Sequence, residues 1–338
     1  MLDLHELWAT ICLDLPEALP FQPSDVDLNK GFVSTTKSDV EEPDSVDIDE
    51  GEGEEQLRGI DPVYPKDVQI VGIDATSLSL GDLPDGIVGA VRAALVRKPA
   101  HASSHRLELY GPRLVPITNQ NKDDLYRAAH RAVHRTQASF FAPDCIHTLD
   151  RVRALLERSI QLKAVNEYRD SLVLLDGSLI ASTVEEPRAS IKKLLEDANE
   201  NGNSVIAVSK STKLTLQKTK KSILSLLDCT DGPCYFGDVR DYFTSRPESY
   251  LGKIYVVRLR PFGTVFRVDI PDHTPIDHSE ILSQLAGLAG DYGYPEELRL
   301  AHMKCIFGHI EQLELQAAAM RLHGLRQKPD VRKNLFPI

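Results

Sequence analysis

Apolar and polar positions fall into blocks along this chain, and each block predicts an element. In DVQIVGIDATS, the run Val68 to Ile73 predicts a strand ending in Asp74. IVGAVRAALVR (Ile87 to Arg97), rich in small and β-branched residues, predicts a second strand. HRLELYGPRLVPI predicts a third, broken at Gly111 and Pro112. A helical stretch starts near Asp123, breaks near Pro143 and resumes as a strong helix from Leu149 to about Tyr168. SLVLLDGSLI follows, where Leu172 to Leu175 form an apolar strand, Asp176 stands at its end and Gly177 turns the chain.

The second half continues in the same manner. Pro187 to Asn199 predicts a helix with Ile191, Leu194, Leu195 and Ala198 on one face. SVIAVSK is a buried strand, and a basic helix is predicted after it. GKIYVVRLRPFGTVFRVDIP alternates like two strands of a hairpin joined at Pro261–Gly263. Pro295 opens a long helix reaching about Leu325, with proline at a favoured first-turn position. Strands that can form a meander, followed by strands alternating with helices, predict an α/β fold: a mixed sheet with helices on its faces. Order begins near Pro65. Before it, Leu4, Leu7, Trp8 and Ile11 have the spacing of a short amphipathic helix. The chain therefore divides into an N-terminal extension, 1–60, and a folded domain, 61–338.

Charge changes this picture in one place. The formal net charge is −11, but Asp39 to Glu55 alone contributes ten acids and no base. The rest is close to neutral, so the global charge does not exclude a nucleic-acid surface. The acidic run is expected to be a solvated, flexible linker; mimicry of nucleic-acid charge over a basic groove is the alternative. Five cysteines without a CxxC pair suggest neither a disulfide framework nor a zinc knuckle, and fit a reducing cytoplasm. The sequence has no run approaching a membrane span and no basic leader at its start, so a cytoplasmic location is expected.

The chemistry lies in acids set at strand ends. Asp74 and Asp176 each close an apolar strand, and adjacent strand ends in an α/β sheet bring such groups together. Two neighbouring carboxylates repel, and a divalent cation resolves the conflict. Glu157 lies beside the apolar stripe of its helix, which leads into the Asp176 strand; its spacing alone favours a solvated glutamate balanced by Arg153 or Lys163. His302 lies about two turns into the helix that follows Tyr294, as a metal or phosphate contact or as a packed helical histidine. Lys210 ends the central strand, and Lys213, Lys218, Lys220 and Lys221 come after it, as phosphate contacts or as a solvated basic helix. His130 and His134, spaced i,i+4, lack the glutamate of a zinc-protease motif and fit a basic helix face with Arg127, Arg131 and Arg135.

Taken together, VGIDATS, LLERSIQL, LLDGSLI, IAVSKST and YPEELRLAH resemble the NurA nuclease family in order and spacing, over roughly residues 60 to 330. The resemblance implies an RNase H-like mixed sheet flanked by helices, with a C-terminal hairpin and helices. It implies a Mn²⁺-dependent (or Mg²⁺-dependent) DNA nuclease with 5′→3′ exonuclease and single-strand endonuclease activity. Such enzymes are homodimers that process DNA ends for double-strand break repair with a HerA-type hexameric ATPase. By motif, Asp74, Glu157 and Asp176 are the implied metal carboxylates, Tyr294 and His302 the C-terminal pair, and Lys210 the lysine after the central strand. The family's first motif usually has glycine where this chain has Ala75. A non-catalytic scaffold of the same fold, or an actin- or sugar-kinase-like phosphotransferase, are the alternatives.

Overall fold

The computed structural model describes residues 45–46, 56–136, 141–181, 187–243 and 249–325. The predicted N-terminal helix and nearly all of the acidic run lie outside them. A nine-stranded mixed sheet organises the chain. Its strands are β1 (Leu57–Gly59), β2 (Gln69–Leu83), β3 (Gly86–Lys98), β4 (Arg106–Thr118), β5 (Ser171–Asp176), β6 (Ser204–Ser209), β7 (Cys234–Phe236), β8 (Lys253–Arg258) and β9 (Val265–Ile270). The helices are α1 (Lys122–His134), α2 (Cys145–Glu167), α3 (Arg188–Glu200), α4 (His278–Leu288), α5 (Glu296–Cys305) and α6 (His309–His323). In space the strands run β1-β7-β8-β9-β6-β5-β2-β3-β4. The pairs β2–β5 and β5–β6 are parallel, and the other neighbours in this sheet are antiparallel. A separate two-residue parallel pairing joins Ser45–Val46 to Thr215–Leu216.

Strand periodicity decides which side chain meets which helix. On one face Val71, Ile73, Val173, Leu175 and Ala207 pack against Leu155, Leu156 and Ile160 of α2, with Tyr126 of α1 and Leu194 of α3. On the other face Ile70, Leu172, Leu174 and Val208 pack against Leu282 and Leu285 of α4 and Leu298 of α5. Each fully buried leucine contributes about 1.5–3 kcal/mol. β5 is buried on both faces, which explains its continuous apolar run. Gly72 is required by close approach, since a β-carbon there would lie 2.6 Å from the backbone carbonyl carbon of Glu297, at the start of α5. Among the described residues, no helix is long and apolar enough to cross a membrane.

Four expectations are corrected. β2 does not end at Asp74. Its parallel pairing with β5 ends at Ile73–Leu175, but its antiparallel pairing with β3 continues to Leu83. Gly111 and Pro112 do not break β4; a bulge absorbs them, and pairing shifts between Val91–Arg113 and Ala93–Tyr110. No basic helix follows β6. Leu214 and Leu216 are buried in a small apolar cluster with Ile223 and Phe236, and a turn with Lys220 at φ 58° reverses the chain. The alternation Leu-Thr-Leu buries one side of an extended segment, which outweighs the helical reading of the lysines. The long C-terminal helix is two helices. Ile306 adopts an extended conformation and Phe307 turns into the core with Leu80, Val88 and Leu114. The buried Arg92 holds this break, donating to the Ile306 carbonyl at 3.4 Å and pairing with Glu311 on α6. The short strands β1, at the sheet edge, and β7, beside it, lie where the pattern marks no strand.

Candidate active site

Register brings the two aspartates together. In the parallel pair, Gly72 is matched with Leu174 and Ile73 with Leu175, so the next position on each strand is Asp74 and Asp176. Both have the parity of the face that carries Ile70, Leu172 and Leu174. Beyond Asp176 the chain turns at Gly177, where φ is 119° and a β-carbon would meet nothing within 4 Å. That conformation suits glycine and leaves the space beside the carboxylate open. The turn is anchored by the Gly177 amide donating to Val208 O at 3.1 Å. The Leu179 amide donates to the buried Asp269 carboxylate at 2.9 Å.

Helix α5 supplies the other wall. Proline at 295 starts it, and Tyr294 just before it packs its ring 5.3 Å from Phe266 of β9. His302 and Cys305, one turn apart, both meet Asp74: His302 Nδ1 lies 2.6 Å from Oδ2, and the Cys305 thiol donates to it at 3.5 Å. The Ala75 amide donates to the other oxygen at 2.7 Å. Candidate ligand atoms of Asp74, His302 and Cys305 all lie within 4.8 Å of one another. Burial and the neighbouring Asp74 hold the Cys305 thiol well above its ordinary pKa, so it stays protonated at neutral pH.

Lys210 Nζ lies 2.7 Å from Asp176 Oδ2 and 5.0 Å from the centre of the Tyr294 ring. Burial raises the Asp176 carboxyl, Lys210 opposes the rise and Asp74 adds to it. Burial together with Asp176 and Asp74 pushes the Tyr294 phenol well above its usual value. Glu157 enters from α2, on the opposite face of the sheet. It is not the solvated glutamate of the simpler reading. Arg153 does pair with it at 2.8 Å, but burial and the charges of Asp74 and Asp176 push its carboxyl up to about 8. The position of α2 is itself fixed: Asp144 caps its N-terminus through the His147 amide at 2.9 Å, and Ser77 donates to Asp150 at 3.0 Å.

Asp74, Asp176, Lys210, Tyr294 and His302 thus cluster at the ends of the parallel strands, and Glu157 lies within electrostatic reach of both aspartates. Lys213, Lys218, Lys220 and Lys221 are exposed along the irregular segment beyond Lys210. His130 is buried in α1, its ring 4.6 Å from that of His134, which bonds Ser190 Oγ at 2.7 Å. The residues missed from the sequence are Cys305, one helical turn after His302, and Asp269 with its buried partner Arg267. The i,i+3 spacing of His302 and Cys305 is the signal that marks the first. No local pattern marks the second.

The donor set fits a divalent cation. Burial, with the charge of neighbouring carboxylates, raises the carboxyls of Glu157 and Asp176, and hard oxygen donors suit Mg²⁺ or Mn²⁺. The strand order β4-β3-β2-β5-β6, an antiparallel meander followed by two parallel strands, together with acids at the parallel strand ends, defines an RNase H-like α/β protein. Residues 68–305 match the NurA domain, and the chain belongs to the NurA nuclease family. Among solved structures, it is similar to the NurA nuclease from Sulfolobus solfataricus, with 17% identity and a TM-score of 0.53, covering 82% of this chain and 91% of that one. A further NurA structure has 10% identity and a TM-score of 0.47, covering 79% and 91%. Endonuclease V from Streptomyces avermitilis has 14% identity and a TM-score of 0.38, covering 79% and 90%. No curated protein matches the sequence.

Proposed function

We propose that this chain is a divalent-metal-dependent DNA nuclease, with Mn²⁺ as its preferred ion and Mg²⁺ as a substitute. The observation that supports this reading is the placing of Asp74 and Asp176 at matched strand positions beside His302 and Lys210, with the buried Glu157 within electrostatic reach of both. Asp74, Glu157, Asp176 and His302 would hold the ion. A bound divalent ion lowers the pKa of water and polarises phosphate oxygens. The chain's own groups have separate tasks. Lys210 Nζ offsets charge on the phosphate next to Asp176. Tyr294, buried and protonated, offers its hydroxyl proton to a ligand oxygen. His302 fixes the Asp74 carboxylate through Nδ1. Glu157 holds a proton near neutral pH and gives it up when cationic charge arrives.

The scaffold alternative rested on Ala75. Its β-carbon packs with the core of the α2 face, whereas Asp74 points to the α5 face, which supports an intact first motif. Family membership speaks against the phosphotransferase reading. The finer activity is 5′→3′ exonuclease and single-strand endonuclease action in DNA end resection and double-strand break repair. It is carried out in the cytoplasm by a homodimer working with a HerA-type hexameric ATPase. The test is cleavage of 5′- and 3′-labelled single- and double-stranded DNA across a Mn²⁺ titration. Metal-dependent shortening from the 5′ end is expected. Absence of any metal-dependent cleavage would refute the proposal.

A further inference from the structure

Two exposed aromatic rings stand on adjoining loops at the mouth of the site. Phe262, at the tip of the β8–β9 hairpin, is 80% exposed, and Tyr292, two residues before Tyr294, is 68% exposed. β9 runs antiparallel to β6, pairing Arg267 with Ser209, so the hairpin tip lies at the strand end that carries Lys210. Arg260 of the hairpin reaches Asp291 of the second loop at 3.3 Å. A β-carbon built on Gly293 would lie 3.6 Å from the Cα of Gly263, so the loops touch.

Both loops are built as rigid supports. The Phe262 amide donates to Asp231 O at 2.9 Å. The buried Arg258 guanidinium donates to the carbonyls of Gly263 and Leu227, each at 2.7 Å. In the second loop, Gly290 N–H donates to Tyr294 O at 3.0 Å, and Gly293 N–H to Gly290 O at 2.9 Å. Phe262 is held at φ 55°, a left-handed conformation that is costly for a bulky residue. Burial of its ring does not repay that cost. A strained backbone that exhibits an aromatic ring to solvent, beside a site for phosphate chemistry, suits a ligand with an exposed π-face.

We propose that Phe262 and Tyr292 form a stacking platform for unpaired nucleobases, so that the site takes single-stranded DNA in preference to duplex. In a duplex the base faces are stacked on one another and present no surface to such rings. Arg260 and Lys210 would follow the phosphates alongside. This inference rests on the nuclease reading of the neighbouring carboxylates for its choice of ligand, and its test uses binding alone.

The probe is a thymidine strand carrying one 2-aminopurine, mixed with the full chain in EDTA at low salt. Stacking quenches 2-aminopurine fluorescence, and anisotropy of a labelled strand reports affinity. Phe262→Asn removes the ring while tolerating the left-handed backbone; Phe262→Tyr keeps the ring; Tyr292→Ala removes the second. The parent and Phe262→Tyr should quench the probe. Phe262→Asn and Tyr292→Ala should each lose most of the quenching and weaken single-strand binding by about tenfold, with duplex affinity unchanged. Parental affinity and quenching in both ring-deleted variants would overturn the proposal. So would equal loss of single- and double-strand binding, or a parent that binds no single strand. A parent that quenches the probe but cuts no DNA with Mn²⁺ would refute the nuclease reading and leave the platform standing.

Discussion

Asp74 and Asp176 stand at matched positions on neighbouring strands and share one sheet face, yet their surroundings differ. Asp74 lies within a strand that continues on, braced by β3 and by α5. It meets a backbone amide, an imidazole and a thiol, and its side chain is only 9% exposed. Asp176 is the last residue of β5. It pairs with the ammonium of Lys210, its side chain is 23% exposed, and the glycine after it leaves open space. One side of the site is built for fixity and the other for access. A nuclease needs both, because metal ligands tolerate little displacement while a polymeric substrate has to enter.

The sharpest way to break this contrast is to remove one charge from each side. Asp74→Asn and Asp176→Asn should each slow DNA cleavage by about a thousandfold or more, through loss of metal-dependent stabilisation of the transition state. They should part company in stability. Asp74→Asn leaves buried donors facing an amide and should cost about 1–3 kcal/mol in urea denaturation. Asp176→Asn removes a carboxylate already opposed by burial and should change stability by less than about 0.5 kcal/mol. Equal losses of stability would erase the distinction.

The next effect is on the open side. Lys210→Ala should lower the cleavage rate by about ten- to a hundredfold, since it removes the cation that supports Asp176. Single-turnover kinetics at saturating Mn²⁺ measure this. A third effect concerns Glu157, which serves both sides. Its folded-state carboxyl, at about 8, lies above the ordinary 4.5, so folding takes up a proton between these values. The stability it contributes is present below about pH 4.5 and is lost as pH rises towards and past 8. In metal-free protein, Glu157→Gln should therefore raise Tm at pH 8 relative to the parent by about 2–5 °C, and by less at pH 5. A gain of the same size at both pH values would contradict the assignment.

The smallest effect falls on Ala75. The Ala75→Gly substitution restores the family's usual residue, but the β-carbon it deletes packs on the face opposite to Asp74. Cleavage should stay unchanged, while stability drops by about 0.5–1 kcal/mol from the flexibility of glycine in a strand. A rise in activity would show that Ala75 does displace Asp74.

Much of this was legible along the chain. Apolar runs marked β2, β3, β5 and β6, alternation marked the β8–β9 hairpin, and spacing marked α2 and α3, because burial of a strand or a helix face imposes a local period. Motif order pointed to Asp74, Asp176 and Glu157. Spacing alone favoured a solvated Glu157, because the burial that raises its carboxyl, and the charges of Asp74 and Asp176 that add to it, come from tertiary packing and leave no local period. It also took the lysines after β6 for a helix and the C-terminal region for one continuous helix. Leu214, Leu216 and Phe307 are buried by partners distant in sequence, and those partners decide their conformation.

The sequence by itself determined the elements, the parity that puts Asp74 and Asp176 on the same side of their strands, and the acids available for chemistry. Only the tertiary structure decided that β2 and β5 pair in the register that sets the two carboxylates abreast. It also decided that α5 lies close enough, over Gly72, to deliver His302 and Cys305 to Asp74. The reason is physical. A local pattern is written by the period of burial along one segment, whereas register and approach are set by side-chain volume and charge contributed by segments more than a hundred residues apart.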